Sequence, residues 1–145
     1  LTIITLITLY IVKGMKGTTD NFSYLILLFV ICLLGYLWYN AAPSHLMMGD
    51  AGSRAMGIFI AIAALKTESP FLYIFAAFVL IADGGIGIVK VALLRFLKIK
   101  ILTNVRTPLH DHVRKVWDWS NTQTVFRFGI IQIVISVATI YMLML

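Results

Sequence analysis

Cysteine is nearly absent. The one in 145 residues, Cys32, excludes an intrachain disulfide, and its place in an apolar run makes it a small apolar filler. Charge is also scarce: Asp, Glu, Lys and Arg make up 12% of the chain, against 61% apolar residues. That balance lies far from the globular norm and points to an integral membrane protein or a piece of one. Acidic residues number 6 and basic residues 12. In a soluble protein this excess would raise the question of nucleic acid. Here the basic residues flank apolar runs, so topology and anionic headgroups account for them and no nucleic-acid partner is expected. Neither Met nor a basic stretch precedes the apolar run that opens at Leu1. The first residues therefore read as the end of a cut span rather than a signal peptide.

The apolar runs come in sequence. Residues 1–12 cover roughly 18 Å as helix, short of a hydrocarbon core of roughly 30 Å. A connector from Lys13 to Asp20 follows, then residues 22–39, the cleanest span, ending on Tyr36, Trp38 and Tyr39 as an interfacial aromatic belt. Residues 51–66 form a helix rich in Ala and Gly, suited to close packing in lipid. Pro70 suits the next helix start. Residues 71–94 are long enough to span, but Gly84, Gly85 and Gly87 predict a kink or break there. Residues 125–145 close the chain. The expected fold class is all-α: one polytopic transmembrane helical bundle over residues 1–145, with about five spans, one of them kinked or broken.

Two polar segments interrupt the bundle. Residues 40–54 hold one carboxylate, Asp50, between Gly49 and Gly52. Ser53 can cap a helix beginning near Arg54, and a carboxylate beside free backbone N–H groups suits a divalent cation carrying phosphate. A turn with a capping Asp and Ser is the plainer reading. Residues 95–124 carry many basic residues, Lys100 among them, and the run Pro108-Leu109-His110-Asp111-His112. His-x-His is open to three readings: a weak transition-metal signal, surface imidazoles, or phosphate handling beside Arg114 and Lys115. Asp83 and Lys90, seven apart, share roughly one helix face. They face either the bundle interior or a cavity, or snorkel at the membrane edge. Two spans separate the two polar segments, so both emerge on one side, which the positive-inside rule makes cytoplasmic.

Four motifs then fall together: Tyr39-Asn40-x-x-Pro43, Met48-Gly49-Asp50-x-Gly52-Ser53, Pro108-Leu109-His110-x-His112 and Arg127-Phe128-x-Ile130-Ile131. In order and spacing they resemble the phospho-N-acetylmuramoyl-pentapeptide transferases (the bacterial MraY family), within the polyprenyl-phosphate sugar-1-phosphate transferase superfamily. The last two motifs look more like this branch than the N-acetylglucosamine branch. The resemblance implies a ten-helix enzyme of the bacterial plasma membrane, of which this chain is the C-terminal half, with the N-terminal half as its partner and a homodimer as the family's assembly. It implies Mg²⁺ and the transfer of phospho-MurNAc-pentapeptide from UDP-MurNAc-pentapeptide to undecaprenyl phosphate, giving lipid I and UMP.

Carried over by position, Asp50 matches the magnesium-ligating aspartate, and His110 and His112 the outer members of a histidine triplet, the three implied catalytic residues. Asn40, Met47, Gly49, Ser53, Lys90, Thr107, Asp111 and Arg114 fall at implied substrate-binding positions. Departures are Asp111 at the middle of the triplet, Met47 where an aromatic residue stacks on uracil, Arg54 for an apolar residue, Lys90 for Gln and Thr107 for Ala. The family's adjacent aspartate pair and its Asn/Asp-rich nucleotide loop have no match in the chain. The alternatives are a related polyprenyl-phosphate N-acetylhexosamine-1-phosphate transferase and a membrane transporter built around a broken helix. A helical scaffold would leave the Asp50 and histidine motifs unexplained.

Overall fold

The computed structural model describes residues 1–41, 43–69, 71–98 and 105–145. Pro70 and Lys100, singled out above, lie outside them. The described residues form seven α-helices: α1 (Thr2–Met15), α2 (Asn21–Asn40), α3 (Gly49–Leu65), α4 (Leu72–Ala76), α5 (Phe78–Ala92), α6 (Leu109–Val116) and α7 (Asn121–Met144). A π-helical turn, Leu93–Leu97, extends α5.

The hub is α1, which packs against α2, α3, α4 and α7. Its apolar positions recur at helical spacing, and Leu6, Leu9 and Val12 are fully buried. Leu6 and Leu9 meet Ile26, Val30 and Leu33 of α2, and Ile60, Ala63 and Ala64 of α3. Small side chains on α3 let the backbones approach closely. Phe59 of α3 stacks on Phe29 of α2 at a centroid distance of 4.2 Å.

On α7 polar side chains are turned inward and large apolar ones outward. Gln132 and Ser136 of α7 are buried, while Val134, Val137 and Tyr141 face outward. Tyr24, Leu28 and Ile31 of α2 face outward in the same way. Lipid favours that pattern, because buried polar groups find partners inside and the outer face meets hydrocarbon. Among the described residues α2 and α7 are each long and apolar enough to cross a membrane, and α1 is apolar but shorter. The stretches 51–66 and 71–94, expected as further spans, correspond to α3 and to α4 and α5 with the π-helical turn, each helix shorter than a span needs.

The chain's reversals follow local chemistry. Asp20 opens α2 with a capping box: its Oδ1 accepts from Ser23 N (3.1 Å), and Ser23 Oγ accepts from Asp20 N (3.3 Å). Lys13, 1% exposed, donates to Asp20 as well. Lys16 donates to Thr67 O (3.3 Å) and to Ser69, tying the α1–α2 turn to the α3–α4 turn at one end of the bundle. The α2–α3 connection therefore lies at the other end, and α5 runs back toward it.

One expectation needs correcting. The helix stays α-helical through Gly84, Gly85 and Gly87. Its interruption lies at Ala77 (φ −120°, ψ 22°), between α4 and α5. The physical reason is Gln132. Its Oε1 accepts from Val79 N (2.9 Å), one of the orphan donors that open α5. Its Nε2 donates to Ala76 O (2.9 Å) and Phe75 O (3.3 Å), the last two carbonyls of α4. One side-chain amide thus closes both ends of the break.

Gln132→Leu should strand these backbone groups in an apolar interior and lower stability by about 1–3 kcal/mol, read as a lower unfolding midpoint in detergent. The Lys13 ammonium, chiefly by its hydrogen bond, holds the Asp20 carboxyl below its usual value of 3.8, helped by the Ser23 N–H. A carboxyl depressed in the folded state contributes stability above its ordinary pKa and loses it as pH falls through the lowered one. The stability difference between wild type and Asp20→Asn should therefore be constant from neutral pH down to about 4 and disappear in more acid solution, as thermal melts across that range would report.

Candidate functional site

Asp83, Gly87 and Lys90 occupy one face of α5 at i, i+4 and i+7, and each holds a different point of the segment entering α6. Lys90 Nζ donates to Val105 O at 2.7 Å. Gly87 faces Thr107 closely: a Cβ there would lie 3.4 Å from Thr107 Cβ, at the near edge of ordinary contact. Asp83 takes both donors of His110: Oδ1 accepts from the backbone N–H at 2.8 Å, and Oδ2 faces ring Nδ1 at 2.8 Å. The segment therefore runs antiparallel to α5, pinned at 105, 107 and 110. The Thr107–Pro108 peptide is cis.

Next comes α6. Asp111 in its first turn and Arg114 and Lys115 in its last complement the helix dipole. Asp111 lies 3.4 Å from Lys115 and 3.8 Å from Arg114. His112 turns back, and its Nδ1 accepts from Arg106 N at 3.2 Å. Ser120 and Gln123 then form the capping box that starts α7. Arg127 lies over the Trp119 ring at 4.2 Å, fastening the turn between α6 and α7. An open apolar groove of about 560 Å³ runs along α5, lined by Gly84, Gly87, Ile88, Val91, Phe96 and Pro108, with Arg95 on its wall.

The Asp50 segment is built differently from its sequence expectation. Helix α3 already starts at Gly49, with Met48 at the cap position, so Asp50 lies in the first helical turn and not in a loop. Gly49 makes the entry with φ 66°, a conformation open to glycine. Ser53 is inside the helix, and its Oγ donates to Asp50 O at 3.0 Å instead of capping. Asn40 ends α2, and its Oδ1 accepts from Ser44 Oγ at 2.9 Å. Met47 is 92% exposed. The Asp50 side chain is 93% exposed, with Arg54 3.9 Å away.

The expected site residues thus fall into two groups. Lys90, Thr107, His110, Asp111, His112 and Arg114 come together along α5 and α6. Asn40, Met47, Gly49, Asp50 and Ser53 surround the α2–α3 connection. Among the described residues no hydrogen bond or ion pair joins the two groups. Sequence reasoning placed Asp83 in the apolar run without a partner and passed over Gln132, whose signal was a lone amide among apolar residues.

A magnesium ion needs hard oxygen ligands, and it keeps waters and substrate oxygens besides one or two carboxylates. Asp50 meets the first requirement, being open to solvent at a helix N-terminus. Among the described residues no group of three metal-binding side chains surrounds it. Asp50 therefore fits as one ligand of a shared site.

Comparison with known proteins places this geometry. Residues 1–68 match the family described as glycosyl transferase family 4. The phospho-N-acetylmuramoyl-pentapeptide-transferase of Treponema pallidum subsp. pallidum is 51% identical over 100 residues, covering 69% of this chain and 28% of that protein. The protein of that name from Brachyspira hyodysenteriae is 36% identical over 110 residues (74% and 28%). The one from Borrelia hermsii is 32% identical over 130 residues (87% and 35%). These sequence matches give the class, glycosyl transferase family 4. Within it the chain belongs to the phospho-N-acetylmuramoyl-pentapeptide-transferase family. It spans about a third of the length of these relatives.

Lys90→Met should release Val105 and loosen the histidine segment. Hydrogen–deuterium exchange at residues 105–110 should rise about tenfold, the equivalent of roughly 1.4 kcal/mol, while exchange in α2 stays unchanged.

Proposed function

We propose that this chain carries part of the active site of a Mg²⁺-dependent transferase of the bacterial plasma membrane. The reaction is transfer of phospho-MurNAc-pentapeptide from UDP-MurNAc-pentapeptide to undecaprenyl phosphate, giving lipid I and UMP for peptidoglycan synthesis. The enzyme is multi-pass, its site opens to the cytoplasm, and this chain works together with the part of the family's chain that it does not span, the whole pairing as a homodimer.

The observation that carries the reading is the apolar groove lying directly against the pinned histidine segment. An isoprenoid chain suits the groove, and a phosphate suits the Arg and His groups at its edge. A lipid phosphate has both parts. A lipid phosphate oxygen attacks the β-phosphorus of the nucleotide substrate and UMP departs. His110, His112 and Arg114 contact the phosphates. Asn40, Met47, Gly49 and Ser53 border the nucleotide, with the Met47 thioether in soft contact where a ring would stack. Lys90 and Thr107 shape the edge toward the peptide arm, and Asp111 orients Arg114. Asp50 would hold Mg²⁺, which when bound neutralises charge on the pyrophosphate.

The transporter alternative is weaker on a specific ground. Such a site uses the free ends of a broken helix to bind its cargo. Here backbone groups at both sides of the break are engaged by Gln132.

Asp50→Asn in the full-length protein should lower Mg²⁺-dependent UMP release by about 100-fold or more. A rate near wild type rejects the role of Asp50. Substrate flux in proteoliposomes without UMP release would favour the transporter.

A further inference from the structure

We propose that Asp83 and the backbone amide of Arg106 hold the two imidazoles in opposite ring tautomers. Their Nε2 atoms, which have no hydrogen-bond partner among the described residues, then offer the phosphates one proton acceptor, on His110, and one hydrogen-bond donor, on His112. This rests on the transferase reading above and adds Asp83 to it as a positioning residue.

The assignment follows from what each partner can do. An ionised carboxylate only accepts, so the ring nitrogen 2.8 Å from Asp83 Oδ2 carries hydrogen. Neutral His110 is then protonated at Nδ1, with a lone pair on Nε2. A backbone amide only donates, so the ring nitrogen 3.2 Å from Arg106 N carries the lone pair. Neutral His112 is then protonated at Nε2. Both devices come from one stretch of chain: Asp83 also receives the His110 backbone N–H, and Lys90 holds the carbonyl of Val105, the residue before Arg106. His110 is 43% exposed, so its outer nitrogen can be reached.

In the transfer, the phosphate O–H of the acceptor gives its proton to His110 Nε2 as that oxygen bonds to the β-phosphorus. The bond between the α- and β-phosphates breaks, and the departing nucleoside monophosphate takes the electron pair and then the proton. Asp83 faces the imidazolium formed in between. His112 Nε2–H donates to a phosphate oxygen throughout.

The test is ¹⁵N-histidine NMR of the full-length protein in detergent, at a pH about two units above the ordinary imidazole range, alongside UMP-release kinetics. The wild type should show His110 protonated at Nδ1 and His112 at Nε2. Asp83→Asn keeps an acceptor for the His110 backbone but turns an amide donor toward Nδ1. It should move the His110 proton to Nε2 and lower kcat at least about tenfold, with KM within about twofold. Asp83→Glu should restore the tautomer and part of kcat. Both rings in one tautomer in the wild type overturns the proposal, and that spectrum decides even if Asp83→Asn fails to fold. A changed tautomer with unchanged kcat overturns it too. Opposite tautomers in a wild-type protein that releases no UMP sink the transferase reading while upholding the assignment of the rings.

Discussion

A polar group inside an apolar bundle must find its partner within the protein, because lipid supplies none. The Gln132 amide meets that constraint where it is most acute, at the break between α4 and α5. A helix end leaves donors or acceptors unpaired, and two ends meeting in the interior double the deficit. Gln132 presents an acceptor to Val79 and donors to Ala76 and Phe75. That single residue lets α5 begin anew after the break without stranding Val79 N or Ala76 O. The position of Asp83, six residues past the break, follows from it, and the position of His110 follows from Asp83.

The face of α5 then works as a rail. Its three holds differ in kind. Asp83 and Lys90 make charge-assisted bonds, each of order 1.5–3 kcal/mol where shielded from water. Gly87 lies between them as a bare contact point for Thr107, where a Cβ would come to 3.4 Å. The two bonds fix the ends of the segment against the helix. Glycine usually weakens a helix interior by about 1 kcal/mol. Here the two flanking charge-assisted bonds outweigh that cost, which is why a triplet of glycines reads as a break in the sequence yet sits in continuous helix.

How much of this was legible follows from the same distinction between local and distant partners. The all-helical class is local, and composition and periodicity carry it; the capping boxes at Asp20 and Ser120 are local as well, but the sequence reading did not single them out. The break at Ala77 was not legible, because its cause lies in α7, 55 residues further along the chain. The start of α3 was misplaced for a related reason: Ser53 is a good cap in isolation, but Gly49 with its positive φ turns the chain four residues earlier. Of the site, the motif residues were visible as types. The pairing of Asp83 with His110 was not, since periodicity says which face a residue occupies and not what crosses it.

The carboxylates of the chain have separate fates, and the difference bears on chemistry. Asp20 is held by a buried lysine, Asp83 by both donors of a histidine, and Asp111 lies near two cations on its own helix. Asp50 differs from these three, with only an exposed Arg54 at 3.9 Å, a pair worth well under about 1 kcal/mol in water. A carboxylate so weakly engaged, in the first turn of a helix, keeps its oxygens for a solute ligand. The histidine rings are in the converse state: each has one nitrogen engaged by the protein and the other without a hydrogen-bond partner among the described residues. No hydrogen bond or ion pair among the described residues joins the two groups, so a bound ligand is one way to link them. A ligand carrying a metal-bound pyrophosphate at one end of its reach and a lipid phosphate at the other would meet both sets of unspent atoms.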